Sequence, residues 1–225
     1  MAEDVRRLRI AIDGPAGAGK STVARALAGR LALKYLDTGA MYRAITLKVY
    51  RNNVDLEDTT SMQALLDTTS ITINNGKDII LDGEDVSEEI RMAHVNRLVS
   101  PVSCLSMVRR RLVGLQQEIA SSTPRIVMEG RDIASRVMPD AEYKFYLDAS
   151  LEERAKRRFK EQLEKGISIA LEEVVKDIAG RDVIDSNRED SPLTRVEDAI
   201  VIDTTGLSIE QVIESLVERV DEKLR

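Results

Sequence analysis

The sequence predicts an α/β fold of three layers, in which a five-stranded parallel sheet lies between helices. Short apolar runs separated by helical patterns indicate the strands, because strands buried on both faces are apolar throughout rather than alternating. A glycine-rich loop follows the first run and leads into a helix, which is the context of a phosphate-binding turn. A chain of 225 residues is long enough for one domain with insertions.

Five segments fit a buried strand, and an acidic residue ends each of them. They are residues 8–13, 35–37, 126–129, 143–148 and 199–203. The carboxyl ends of parallel strands line the ligand crevice of such a sheet, where acids are well placed to serve Mg²⁺ and its waters. Acids at strand ends also cap helices and form turns, and for Asp148 and Asp203 we favour that simpler role.

The glycine-rich loop is a Gly-x-x-x-x-Gly-Lys-Ser motif, which predicts a site for a nucleoside triphosphate. Its glycines let successive N–H groups point at phosphate oxygens, and the following helix adds the positive end of its dipole. Lys20 is expected to bridge the outer phosphates, and the Ser21 hydroxyl is expected to ligate Mg²⁺. The residues predicted to bind the triphosphate are Gly14, Pro15, Ala16, Gly17, Ala18, Gly19, Lys20, Ser21 and Thr22.

Two parts of the chain depart from the alternation of strands and helices. Residues 71–86 alternate apolar and polar side chains around an Asn-Gly pair, which predicts an antiparallel hairpin within an insert at about residues 60–98. Residues 151–194 contain two helical patterns split near Gly166, followed by a polar stretch rich in arginine. We interpret this second part as a lid.

Composition and charge argue against several classes of protein. The net charge of −6 supplies no basic field for a nucleic acid polymer. The sequence contains neither a membrane-spanning apolar stretch nor a signal core, so we expect a cytoplasmic protein that does not act at a membrane. Cys104 is the only cysteine and is expected to be a small, at least half-buried apolar residue. His94, the only histidine, is expected on an ordinary helix surface.

The loop does not specify a reaction, but the motifs of a switch-type GTPase are missing. The Asp-x-x-Gly at residues 203–206 follows the last strand and leaves no room for the later specificity motif, and residues 75–78 form the hairpin turn. A small kinase remains. Transfer to a phosphate acceptor brings two polyanions together, and several arginines are needed to offset their repulsion.

Arginines in suitable positions lie near strand ends or in the predicted lid. They are Arg43, Arg109, Arg131, Arg181 and Arg188. The arginines at residues 154, 157 and 158 either join this group or form a solvated face of a charged helix, and the sequence favours neither alternative.

Four motifs together resemble those of the bacterial cytidylate kinases. They are Asp-Thr-Gly-Ala-Met-Tyr-Arg at residues 37–43, Gly-Arg-Asp at 130–132, Arg-Ala-Lys-Arg-Arg at 154–158, and the arginine and aspartate run at 181–188 that precedes Ser-Pro-Leu. The resemblance extends from the loop to the last helix. It implies transfer of the γ-phosphoryl group of ATP to CMP or dCMP with Mg²⁺, by one P-loop kinase domain of residues 1–225. We expect a monomer.

The resemblance also implies which residues bind the nucleotides. Arg43 and Arg131 would hold the CMP phosphate, and Asp185 would reach the ribose, positioned by Arg188 and Arg181. Arg157 would bind ATP. The residues expected to bind the acceptor are Thr38, Arg43, Ser100, Arg109, Arg131, Asp132, Arg181, Asp185 and Arg188, and those expected to carry catalysis are Lys20, Arg131 and Asp132.

The resemblance assigns the cytosine edge to Asp132, Arg109 and Ser100. Cytosine presents an N4 donor and an N3 acceptor, so a carboxylate beside an arginine favours it over uracil. Ser103 and Arg110 are alternatives if the register differs. Thr38 either contacts the nucleotide or stabilises its turn.

Three positions depart from the family pattern, which usually reads Asp-Gly-Arg-Asp-x-Gly-Thr. Here Glu129 replaces the first aspartate and Ala134-Ser135 replaces the final pair. Glu129 keeps the charge with a longer reach, and it either holds a Mg²⁺-bound water or forms a helix cap or a buried pair.

Two other functions are kept as alternatives. The first is another small P-loop kinase acting on UMP, AMP or a shikimate-type acceptor, against which the hairpin insert and the distribution of arginines argue. The second is a nucleotide-binding regulatory protein without transfer activity. The presence of Lys20, Arg131 and Asp132 together argues against this second alternative.

Overall fold

The computed structural model describes residues 7–74, 78–164 and 166–224, and its centre is a five-stranded parallel sheet. The strands run in the order β2-β6-β1-β7-β8. Their bounds are Leu8–Asp13 (β1), Lys34–Asp37 (β2), Arg125–Gly130 (β6), Tyr143–Asp148 (β7) and Ile200–Asp203 (β8). The predicted fold class and all five predicted strands are confirmed, with ends that differ by one residue at most.

Helices cover both faces of this sheet and complete the three layers. Their bounds are Lys20–Arg30 (α1), Thr38–Arg51 (α2), Thr59–Asp67 (α3), Ala93–Cys104 (α4), Ser106–Ser122 (α5), Leu151–Glu164 (α6), Leu171–Asn187 (α7) and Ile209–Leu224 (α8). Helices α1 and α8 pack with Ile10 and Ile12 of β1, whereas α2 and α5 pack with Ala11. Side chains of a strand alternate between the two faces of a sheet, so β1 contributes to the apolar core on each face.

A separate antiparallel sheet occupies the predicted insert. It consists of Ile71–Asn74 (β3), Asp78–Leu81 (β4) and Glu84–Asp85 (β5), so a short third strand extends the expected hairpin. The predicted Asn-Gly turn at residues 75–76 lies outside the described residues. Arg51 of α2 joins this sheet to the core, since its guanidinium contacts Glu84 and Glu89.

Acids at the ends of three strands make structural hydrogen bonds. Asp13 accepts the N–H groups of Ile133 and Ala134 at 2.9 and 2.8 Å, and thereby fixes the turn that follows β6. Asp148 accepts from the next N–H and Asp203 from the N–H two residues on. These are the turn-forming roles favoured for Asp148 and Asp203.

Within residues 151–164 and 166–194, the structure contains the two predicted helical segments, α6 and α7. Helices α6 and α7 pack on each other through a small apolar cluster that includes Ala155, Val174 and Ile178 and reaches Ala16 of the loop. Within the described part of the chain, none of the helices combines the length and the apolar character needed to cross a bilayer.

Candidate active site

The loop between β1 and α1 has the backbone geometry of a phosphate cradle. Gly14, Gly17 and Gly19 have φ angles of 148°, 79° and 87°, which favour glycine. A Cβ atom on Gly14 would lie 2.0 Å from the carbonyl oxygen of Leu147, so a larger residue does not fit. Helix α1 begins at Lys20, directly after the third glycine. The first N–H groups of α1 have no acceptor within the helix and are therefore available to an anion.

Lys20 is buried against this loop. Its Nζ donates to the carbonyl oxygen of Pro15 at 2.7 Å. Burial lowers the pKa of Lys20 to about 7, and the nearby charge of Arg131 contributes to the same shift. An anion beside Nζ would favour the charged form of the lysine. The carbonyl oxygen of Pro15 is a neutral acceptor. A negatively charged phosphate oxygen can replace it, because hydrogen bonds between charged groups are stronger.

Glu129 connects the loop to β6 and is only 4 % exposed. Its Oε1 accepts a hydrogen bond from the Ser21 hydroxyl at 2.6 Å and one from the Tyr35 hydroxyl at 3.3 Å. Burial raises the pKa of Glu129 to about 7, and the charge of Asp37 adds to the rise. Of the roles considered for Glu129, the structure shows a hydrogen-bonded pair, and the role toward a Mg²⁺-bound water stays a prediction. The partner in this pair is the residue predicted to ligate Mg²⁺.

All nine residues predicted to bind the acceptor line one cavity beside the loop. They come from α2, α4, α5, α7 and the residue that follows α7, and from the turn after β6. They are Thr38, Arg43, Ser100, Arg109, Arg131, Asp132, Arg181, Asp185 and Arg188. Glu129 lines the same cavity, so the cavity adjoins the phosphate loop through the contact between Glu129 and Ser21.

The inner end of the cavity contains a buried ion pair between Arg109 and Asp132. Arg109 is 1 % exposed, and its Nη1 also donates to the carbonyl oxygen of Ser103 at 3.2 Å. The guanidinium lies 5.1 Å from the centre of the Tyr42 ring. Arg110, the alternative in the predicted register, is exposed and does not line the cavity, whereas Ser100 and Ser103 both do.

Asp185 binds two arginines, one of which differs from the prediction. Its carboxylate accepts from Arg188 Nη1 at 3.2 Å, as expected, and from Arg131 Nε at 2.8 Å. Arg181, the expected second partner, instead donates to the carbonyl oxygen of Asn96 at 2.8 Å. Arg131 is therefore a partner of Asp185 that the resemblance did not name. The charges of Arg181 and Asp185 still attract each other, and the positioning role of Arg181 stays a prediction. Arg131 is the closer cation because the turn after β6 brings it to α7.

Thr38 has the turn-stabilising role that was one of its two alternatives. It is the first residue of α2, and its hydroxyl donates to the carbonyl oxygen of Glu129 at 2.7 Å. This bond joins the end of β2 to the end of β6. Thr38 also lines the cavity, so ligand contact is not in conflict with the structural role.

Arg154 is not part of a solvated helix face. It is buried, and its Nη1 donates to the carbonyl oxygen of Ala16 at 2.9 Å and to the carboxylate of Asp182 at 2.5 Å. Asp182 in turn accepts the Ala16 N–H at 3.1 Å. The pair therefore attaches α6 and α7 to the loop. The motifs give Asp182 no role. Its helical spacing from Val174 and Ile178 nevertheless places it near the buried face of α7, and this spacing is the signal that could have indicated it.

Arg157 and Arg158 are both half-buried. Arg157 donates to the hydroxyl and the carbonyl oxygen of Thr204 at 2.9 and 2.5 Å. A Cβ on Gly19 would lie 4.0 Å from its Nη1, so this guanidinium is next to the loop. Arg158 pairs with Glu161 at 2.7 Å.

The single histidine differs from its prediction. The ring of His94 is half-buried and stacks on Tyr50, with ring centres 4.3 Å apart, so His94 does not lie on an ordinary helix surface. Cys104 is half-buried, as expected.

Comparison with known proteins identifies the family. A sequence model of the cytidylate kinase family matches residues 10–222. The chain is 51 % identical to a cytidylate kinase of Carboxydothermus hydrogenoformans, over 96 % of this chain and 98 % of the other. It is 52 % identical to a cytidylate kinase of Caldanaerobacter subterraneus, over 95 % of this chain and 94 % of the other.

Solved structures support the fold. A shikimate kinase from Acinetobacter baumannii matches with a TM-score of 0.50 and 16 % identity, over 96 % of this chain and 94 % of the other. This likeness concerns the arrangement of the sheet and helices alone. The family match and the relatives near 50 % identity show that the chain belongs to the cytidylate kinase family, ATP-dependent nucleoside monophosphate kinases that phosphorylate CMP and dCMP.

Proposed function

We propose that the phosphate loop and the adjoining cavity are the donor and acceptor halves of one active site. ATP would place its phosphates in the loop, and CMP or dCMP would occupy the cavity. The observation that most supports this assignment is that all nine predicted acceptor residues line a single cavity, which Glu129 connects to Ser21. A phosphate oxygen of CMP would then attack the γ-phosphorus, and the bond to the oxygen bridging to the β-phosphate would break to release ADP.

The donor half fits a magnesium ion that arrives with ATP. Ser21 and Glu129 offer a hydroxyl and a carboxylate, both of which are hard oxygen donors. Among residues 7–74, 78–164 and 166–224, no group of three or more His, Cys, Asp or Glu is placed to hold a metal ion alone. Mg²⁺ typically completes its shell with water and substrate phosphate. It would hold the outer phosphates and offset the charge that develops during transfer.

Cations surround the place where the two nucleotides meet. Lys20 approaches from the loop, Arg131 from the turn after β6, and Arg43 from α2. We assign Arg43 and Arg131 to the CMP phosphate and Lys20 to the group in transfer. Positioning and charge neutralisation account for most of the catalysis of phosphoryl transfer, so a histidine base is not required.

The buried Arg109 and Asp132 pair would read the cytosine edge, together with Ser100. The carboxylate of Asp132 would accept a hydrogen bond from the N4 amino group of cytosine. Arg109 is already held in place by Asp132 and by the carbonyl oxygen of Ser103. Uracil would present O4 to Asp132, and two acceptors would then face each other without a donor.

We further propose that residues 151–194 act as a lid and that the insert at about 60–98 serves the acceptor. The attachment of α6 and α7 to Ala16, and of Asp185 to Arg131, supports the first assignment, because α7 contacts both halves of the site. A closed lid would exclude water and limit ATP hydrolysis. Asp185, with Arg188 and Arg131, would bind the ribose, and Arg157 would contact ATP.

We propose that one kinase domain of residues 1–225 carries both halves of the site and that the enzyme is a monomer. Both substrates are nucleotides of the cell interior, which supports a cytoplasmic location.

Substitution of Asp132 by asparagine tests the assignment of the base. The asparagine keeps an oxygen for Arg109, but its amide can donate to O4 of uracil. We expect D132N to lower the ratio of kcat/KM for CMP to that for UMP by about 10- to 100-fold. The measurement is a coupled ADP-release assay with each acceptor. Because both values come from one preparation, partial unfolding cancels from the ratio.

D67N is the matched control, since Asp67 is an exposed acid at the end of α3. It should leave the ratio of kcat/KM values unchanged. If D132N and the unmodified enzyme have the same ratio of kcat/KM for CMP to kcat/KM for UMP, Asp132 does not recognise the base.

A further inference from the structure

Asn96 of α4 lies between two arginines of the cavity that come from different parts of the fold. Its side-chain Oδ1 accepts from Arg43 Nη1 at 2.5 Å, and its main-chain oxygen accepts from Arg181 Nη2 at 2.8 Å. Arg43 belongs to α2 in the core, whereas Arg181 belongs to α7 in the proposed lid. One residue therefore provides acceptors for both cations.

The orientation of the Asn96 amide is defined by its second hydrogen bond. Its Nδ2 donates to the carbonyl oxygen of Arg91 at 2.8 Å, and its main-chain N–H donates to Met92 at 3.0 Å. Because the amide nitrogen already has an acceptor, the amide oxygen is the atom that faces Arg43. The side chain is thus held in place before any nucleotide binds.

The arginines near Asn96 repel one another. Burial lowers the pKa of Arg43 to about 10, and the charge of Arg181 lowers it further, whereas Asp37 opposes the shift. The charges of Arg158 and Arg91 also lower the pKa of Arg43. Such a group of cations favours an anion in its midst. Asn96 gives Arg43 and Arg181 hydrogen-bond acceptors that carry no negative charge.

We propose that Asn96 is a positioning residue that orders Arg43 and Arg181 for the acceptor phosphate without adding a negative charge of its own. This inference rests on the proposed assignment of the cavity to CMP. Ordered arginines bind with a smaller loss of side-chain entropy. A phosphate can displace the amide, because hydrogen bonds between charged groups are stronger than those to a neutral oxygen. A carboxylate in the same position would instead pair with Arg43 and compete with the phosphate.

Two substitutions separate this role from a structural one. N96D places a charge beside Arg43, whereas N96A only removes the oxygen and the amide nitrogen. R97A is the control, because it changes the net charge as N96D does, at an exposed neighbouring position on the same helix. Titration calorimetry without ATP gives the Kd of CMP, and competition against CMP gives the affinity of cytidine, which lacks the phosphate. Steady-state assays give kcat and the KM of ATP.

We expect N96D to raise the Kd of CMP by at least about 10-fold and N96A to raise it by about threefold, since only N96D adds a competing charge. Cytidine affinity, kcat at saturating CMP and the KM of ATP should stay within about twofold in both variants, and R97A should match the unmodified enzyme. If N96D does not fold, N96A still tests the inference, because the Kd of CMP should rise by about threefold while the affinity for cytidine stays within about twofold.

The inference is overturned if N96D and N96A weaken CMP binding equally, if neither weakens it, or if cytidine loses affinity in parallel. These outcomes leave the proposed function intact, because the unmodified enzyme still binds CMP more tightly than cytidine. An unmodified enzyme that binds the two equally well would contradict the proposed acceptor site itself.

Discussion

Replacing Lys20 by alanine is expected to lower kcat by about 10³-fold, which corresponds to about 4 kcal/mol of transition-state stabilisation. Lys20 is buried in the loop and its Nζ donates to a neutral carbonyl oxygen, so its charge is available to the outer phosphates of ATP. The loss should appear mainly in kcat, because we assign the ammonium group to the phosphoryl group in transfer. Steady-state kinetics with ATP and CMP measure it.

The matched control is K34A, which removes an exposed lysine at the start of β2. This variant should keep the activity of the unmodified enzyme. The KM of CMP in K20A should change by less than about threefold, since the acceptor cavity is intact. A fall in kcat of less than about tenfold in K20A would mean that Lys20 only binds ATP.

Replacing Arg131 by alanine should lower kcat by at least about 100-fold, or about 2.7 kcal/mol, because it removes a charge partner of the transferred group. It also removes the partner of Asp185 at 2.8 Å, so the KM of CMP should rise as well. A fall in kcat together with a rise in the KM of CMP distinguishes R131A from K20A, in which we expect the KM of CMP to change little. Kinetic analysis at several CMP concentrations separates the two effects.

R136A is the control for Arg131, because Arg136 is an exposed arginine in the same turn after β6. It should have normal kcat and a normal KM for CMP. Near-normal turnover in R131A would show that the phosphate role is assigned to the wrong arginine.

The parallel sheet could be predicted because its central strands, β1 and β6, are buried on both faces and are mostly apolar. β1 is an example, since all six of its residues are buried. The short third strand of the insert could not be predicted in the same way. β5 has two exposed acidic residues, and its pairing depends on the position of β4 rather than on its own pattern.

Parts of the site depend on tertiary contacts that a linear sequence does not specify. The motif around residue 131 indicates a cation at the strand end, but only the packing of α7 decides that Arg131 rather than Arg181 contacts Asp185. Arg154 illustrates the same limit. On a charged helix its pattern fits solvent exposure, yet the carbonyl oxygen of Ala16 and the carboxylate of Asp182 provide buried acceptors.

The most direct test of the two-nucleotide site is the ADP-release rate of the unmodified enzyme with CMP, dCMP, UMP, AMP and shikimate as acceptors. With ATP and Mg²⁺ present, we expect the highest kcat/KM for CMP or dCMP, because the buried pair of Asp132 and Arg109 would bind cytosine. Equal or better turnover of UMP, AMP or shikimate would contradict it.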